Sequence, residues 1–181
     1  PQFRSAITDL DNQGMKGLVI DLRNNPGGLL DTVCDMLDRM LPEGLIVYTE
    51  DKNGTRTEEV KSTAEESFDK PLVVMINGNS ASASEVFAGA IQDYGIGTIL
   101  GTTSFGKGIV QSVIPLSDGS GVKVTVSKYY TPKGRNIHEI GIEPDVVVEL
   151  KDKLKTKVVI DKSEDNQLQE AIKIINEKSS K

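Results

Sequence analysis

Leu72-Val73-Val74-Met75-Ile76-Asn77-Gly78-Asn79-Ser80-Ala81-Ser82-Ala83-Ser84-Glu85-Val86-Phe87-Ala88-Gly89-Ala90-Ile91-Gln92-Asp93-Tyr94 reads as a strand over residues 72–77, a polar turn, and a helix over 82–94. An unbroken apolar run too short for a helix, bounded by turn-forming residues, is the mark of a strand buried on both faces. Working outward, residues 18–22 form a second short apolar run that enters the turn-rich Arg23-Asn24-Asn25-Pro26-Gly27-Gly28. A helix is expected over 29–41, with Val33, Leu37 and Leu41 on one face, and Phe3, Ile7 and Leu10 give the opening segment the spacing of an amphipathic helix. Strands are expected over 45–48, 55–60, 98–100, 109–116, 122–130 and 146–150, with Asp118-Gly119-Ser120-Gly121 as a hairpin turn. Strands interleaved with helices predict an α/β sheet covered by helices.

The 181 residues fit one domain with appendages. Residues 1–150 carry the strand and helix pattern, whereas 151–181 read as a charged C-terminal extension. Within it Leu168, Ala171, Ile172 and Ile175 predict a helix at about 165–178. No apolar run approaches the roughly 20 residues that cross a bilayer, and no stretch reads as a targeting signal. Acidic residues outnumber basic ones 27 to 21, giving a formal charge of −6 that argues against a nucleic-acid partner. One cysteine and one histidine exclude an intrachain disulfide and any cysteine or histidine cluster for zinc. Cys34, among Leu30, Val33 and Leu37, reads as a core thiol, and Asn53-Gly54-Thr55 reads as a turn rather than a glycosylation site.

Chemistry centres on Ser82 and Lys107. Ser82-Ala83-Ser84-Glu85 has the spacing of a capping box. The same position suits a nucleophile, because unpaired N–H groups and the positive end of the helix dipole lie beside it. Those donors stabilise an oxyanion: Ala83 N–H is one candidate, and the Gly27-Gly28 turn offers the second. A serine hydroxyl needs a base, and a lysine serves only when uncharged, which requires burial. Gly101-Thr102-Thr103-Ser104-Phe105-Gly106-Lys107 also opens like a phosphate-binding loop, but Gly108 stands where a Ser or Thr would hold magnesium. Gln111 reads either as a group that orients Lys107 or as a polar residue on a half-exposed strand. A regular strand would separate the two by about 13 Å, so contact needs a turn at residues 106–108. His138 lies in a polar loop and reads as a surface residue. Arg23 is open between a substrate contact, a contact to the catalytic loop and a structural salt bridge.

Taken together, residues 17–28, Ser80 to Glu85, Thr103 to Gly108, Gln111, Tyr129-Tyr130-Thr131-Pro132-Lys133-Gly134 and Gly141-Ile142-Glu143-Pro144-Asp145 resemble the carboxyl-terminal processing, or tail-specific, proteases of the serine-lysine S41 family. The resemblance runs from about Phe3 to Leu150, and the 25-residue spacing of Ser82 and Lys107 is like the family's. It implies a clp/crotonase-like α/β core with a mixed β-sheet covered by helices. It further implies cleavage of protein or peptide substrates near their C termini. Ser82 would be nucleophile, Lys107 base and Gln111 its support, with Ala83 and a glycine of the pair, preferably Gly28, forming the oxyanion hole. No metal or other cofactor is implied. An extracytoplasmic location and a homo-oligomer follow by analogy alone.

The sequence departs from the family at the front, where members carry a strand before the first helix and a PDZ domain. The expectation is therefore a catalytic-core fragment whose independent activity depends on what covers Lys107. A catalytically silent peptide-binding or scaffold core is the alternative. A crotonase-like enzyme acting on acyl-CoA shares the fold class but not these motifs.

Overall fold

The computed structural model describes residues 2–63, 65, 67–157 and 159–180. Its elements are α1 (Gln2–Asn12), β1 (Leu18–Asp21), α2 (Leu30–Asp38), β2 (Gly44–Glu50), β3 (Arg56–Ser62), β4 (Leu72–Ile76), α3 (Ala83–Tyr94), β5 (Thr98–Gly101), β6 (Ile109–Pro115), β7 (Gly121–Tyr130), β8 (Val146–Val147), α4 (Asp152–Lys155) and α5 (Asn166–Ser179). Parallel and antiparallel pairings separate into two four-stranded sheets. The first has order β1-β4-β5-β8 and is parallel; the second has order β3-β2-β7-β6 and is antiparallel.

The five side chains of β4 are all buried. Leu72, Val74 and Ile76 join α2, α3 and β2 in one cluster, while Val73 and Met75 meet Ala171 and Ile175 of α5 in another. Side chains on a strand alternate between faces, so a sheet with helices on both sides needs an unbroken apolar run. At about 1.5–3 kcal/mol for each buried aliphatic side chain, β4 gains on the order of 10 kcal/mol before chain entropy is counted. Helix α3 is buried over most of its surface, including Phe87 and Ile91, because it lies between the two sheets. Gly89 allows that closeness: a Cβ there would lie 2.8 Å from Thr131 Cγ2.

Several elements differ from the sequence expectation. Helix α2 stops at Asp38, and Met40 and Leu41 turn back to the Leu37 carbonyl; Pro42 disfavours helix in the residue before it. The expected strand over 146–150 contracts to two residues, since its partner β5 ends at Gly101. There φ is +128° and a Cβ would meet the Ile76 carbonyl oxygen at 2.0 Å. Residues 51–55 make the β2–β3 turn, with Asn53 N–H on Asp51 Oδ1. Cys34 is buried, and burial, reinforced by Asp31 and Asp35, pushes its thiol up to about 11. The β6–β7 hairpin is exposed along most of its length, and Val122, Val124, Val126 and Ile114 are all solvent-accessible.

Candidate active site

Because β1 and β4 are parallel neighbours, the segments leaving their carboxyl ends emerge side by side. Residues 22–28 follow β1 and residues 77–82 follow β4. Ser80 Oγ donates to the Leu22 carbonyl at 2.7 Å and accepts Asn77 N–H at 2.9 Å. The Asn25 carbonyl accepts Ala81 N–H at 3.1 Å and Ser84 Oγ–H at 3.0 Å. Asn24, itself at φ +58°, accepts amide protons from Asn77 and Asn79 and gives its N–H to Asn77 Oδ1. Gly27 closes the gap between the segments, since a Cβ there would sit 2.6 Å from the Ala81 oxygen and 2.8 Å from Ala83 N.

Ser82 caps α3 with φ +56° and ψ −117°, a conformation L residues adopt only where their surroundings hold them. The capping box is uneven. Ser82 N–H donates to Glu85 Oε2 at 2.8 Å, whereas Glu85 N–H donates to the Ser82 carbonyl at 2.8 Å. The hydroxyl approaches that N–H without a well-formed hydrogen bond. The Gly27 N–H is taken by Asn25 Oδ1, while the N–H groups of Gly28 and Ala83 have no acceptor among the described residues.

Glu85 does more than cap. It is fully buried, and its Oε1 accepts Ser104 Oγ–H and Gly106 N–H, each at 2.6 Å. Oε2 accepts Lys107 N–H at 2.8 Å beside the Ser82 N–H. Four donors around one carboxylate satisfy it without a cation, and its place in the first turn of α3 adds the helix dipole. These bonds also dispose of the phosphate-loop reading: the amides a phosphate would need are held by a carboxylate. Gly108 lies against residues 137–138, where a Cβ would be 2.4 Å from His138 N, so no Ser or Thr fits. His138 is thus half-buried rather than a plain surface residue, with Nδ1 buried and unpaired among the described residues.

The side chains of Lys107 and Gln111 are exposed. Gln111 Nε2 lies 3.5 Å from Thr125 Oγ1 across the hairpin. Among the described residues no hydrogen bond joins Ser82 Oγ, the Lys107 amine and the Gln111 amide. The fold therefore joins the Lys107 backbone to the Ser82 turn through Glu85 without a hydrogen bond between the two side chains.

Arg23 is a structural anchor. Nε donates to Asp21 Oδ1 at 2.9 Å and Nη2 to Asp21 Oδ2 and Asp165 Oδ2, both at 2.7 Å. Nη1 donates to Gln167 Oε1 at 2.8 Å and Asp165 Oδ1 at 3.2 Å. All five guanidinium protons are used. Burial works against its charge, but Asp21 and Asp165 outweigh that and raise the Arg23 pKa. Burial likewise works against Asp165 ionising, and Arg23 with the Leu168 and Gln167 amides overcomes it, holding the carboxyl below its usual range. Glu85 was legible in the sequence as a cap only, and Asp165 and Gln167 carried no local signal.

The model of Peptidase family S41 matches residues 1–148. A carboxyl-terminal-processing protease of Synechocystis is 50% identical over 144 residues, covering 80% of this chain and 34% of the relative. A chloroplastic C-terminal processing peptidase of Tetradesmus obliquus is 46% identical over 145 residues, covering 79% of this chain and 31% of its own. The solved photosystem II D1 C-terminal processing protease superposes with a TM-score of 0.76 at 43% identity, over 80% of this chain and 38% of that one. The chain thus spans about a third of the length of these relatives. With a clp/crotonase-like α/β architecture, a family match over residues 1–148 and identity at this level, the chain belongs to peptidase family S41.

Proposed function

We propose that the chain is the catalytic core of a serine endopeptidase that cleaves protein substrates near their C termini. The observation that carries this reading is Glu85, whose single carboxylate oxygen binds the N–H groups of both Ser82 and Lys107. Ser82 is the nucleophile, Lys107 in its neutral form the base, and Gln111 the group that orients the lysine. Lys107 accepts the hydroxyl proton as Ser82 Oγ attacks the peptide carbonyl, then returns it to the leaving amine. Water repeats the two transfers to release the acyl group. The unspent N–H groups of Ala83 and Gly28 hold the oxyanion. Exposed Leu29, Phe105 and Ile140, on the segments beside Gly28, Lys107 and Gly106, offer apolar contacts to a peptide. No metal or organic cofactor enters the cycle. The names of the relatives support the C-terminal preference, and an extracytoplasmic location remains an analogy with the family.

Since Lys107 is exposed and makes no bond to Ser82, the active arrangement requires the lysine to be covered and turned onto the serine. That cover is assigned to a PDZ domain or to a second copy of the core. The same exposure favours a second reading, a core that binds peptide without cleaving it. Incubation of casein with the chain and with its Ser82→Ala variant, followed by mass spectrometry, separates them. Ser82-dependent fragments are expected; peptide binding with no fragments selects the silent core.

A further inference from the structure

We propose that Asp165 and Gln167 of the C-terminal segment are positioning residues for the loop 24–28, acting through Arg23; the inference rests on the reading of Gly28 as an oxyanion donor. Both residues lie beyond the stretch matched by the family model. They supply three of the five hydrogen bonds of the guanidinium. Arg23 immediately precedes Asn24, so its side chain fixes the backbone from which the loop departs. The loop in turn is bonded to the Ser82 turn through Asn24 and Asn25. A path of hydrogen bonds, carried across the Arg23–Asn24 peptide by the backbone, therefore runs from the start of α5 to the residues around Ser82.

The anchor on the α5 side is firm. Asp165 caps α5 by accepting Gln167 N–H and Leu168 N–H, each at 3.1 Å, and is buried. Gln167 is also buried, and its Nε2 donates to the Val148 carbonyl at 2.6 Å, so the amide is oriented with its oxygen toward Arg23. Ala171 and Ile175 hold the helix against β4 and β5. Without the α5 acceptors, a guanidinium only 13% exposed would keep Asp21 as its sole partner among the described residues. Its unpaired donors would draw it toward water and take residue 24 with it.

A double-mutant cycle on the whole chain tests this. Amide exchange at residues 24–28 and 83 is measured for Gln167→Met, Arg23→Met and the pair, together with the kcat and KM of Ser82-dependent cleavage. Gln167→Met is expected to speed exchange there roughly tenfold, the scale of one charge-assisted hydrogen bond. It should lower kcat by a similar factor with KM nearly unchanged, and add nothing in the Arg23→Met background. Additive effects, or unchanged exchange at 24–28, overturn the proposal. Asp165→Asn keeps a capping side chain, and if Gln167→Met does not fold, its exchange at 24–28 decides in the same way. If the wild type shows no Ser82-dependent cleavage, the peptidase reading fails, and the exchange cycle still decides the role of α5.

Discussion

The Ser82 turn and the Lys107 arm lie side by side, joined by Glu85, yet they are held in different ways. Residues 77–85 are fixed from three directions, by the 22–28 loop, by α3 and by a buried carboxylate, and Ser82 keeps a left-handed backbone as a result. Residues 106–111 are fixed mainly along the backbone, through Glu85, through Glu139 N–H on the Gly106 carbonyl and through pairing with β7. Beyond that point the side chains of Lys107 and Gln111 lie in solvent, on the approach to an exposed hairpin. On the proposed reading, the fold preorganises the Ser82 turn and the free N–H groups beside it, and leaves the Lys107 side chain to be positioned by whatever covers it.

Breaking the shared carboxylate is the most severe test. Glu85→Ala would orphan four donors at about 1–3 kcal/mol each. A loss of at least about 4 kcal/mol is expected in urea unfolding, a large part of the 5–15 kcal/mol typical of a domain. A loss below about 1 kcal/mol would show that water replaces Glu85 and that the two regions are not joined through it. Next in size, Gly108→Ala places a methyl against His138 N and should cost about 1–3 kcal/mol, whereas Gly28→Ala meets nothing within 4 Å among the described residues and should stay within about 0.5 kcal/mol. Equal costs would contradict the packing contrast. The smallest effect on stability is expected from Lys107→Met, within about 0.5 kcal/mol as for an exposed side chain. It should still reduce Ser82-dependent cleavage by a hundred- to ten-thousand-fold, roughly the worth of a general base. Undiminished cleavage would remove Lys107 from the chemistry.

What the sequence conveyed and what it concealed follow the range of the interactions. Apolar runs such as residues 72–76 and 18–22 announce buried parallel strands because local pattern and burial agree. Helix α2 was overextended because its spacing persists to Leu41 while Pro42 ends it, and α4, one turn long, has no period to detect. At the site, Ser82, Lys107 and Glu85 stood out through spacing. The second role of Glu85 did not, since its donors at 104–107 arrive by tertiary folding. Arg23 and Gln167 are 144 positions apart, and no local pattern predicts that bond. The exposure of Lys107 ran against the expectation that a lysine base is buried, because flanking glycines report backbone crowding and say nothing of where a long side chain points.

The backbone of Ser82 also bears on how such sequences can be redesigned. At φ +56° a glycine would relieve steric strain on the order of 1–3 kcal/mol. An optimiser that scored only fold stability would therefore choose glycine at position 82, and would erase the hydroxyl while improving every measure it was given.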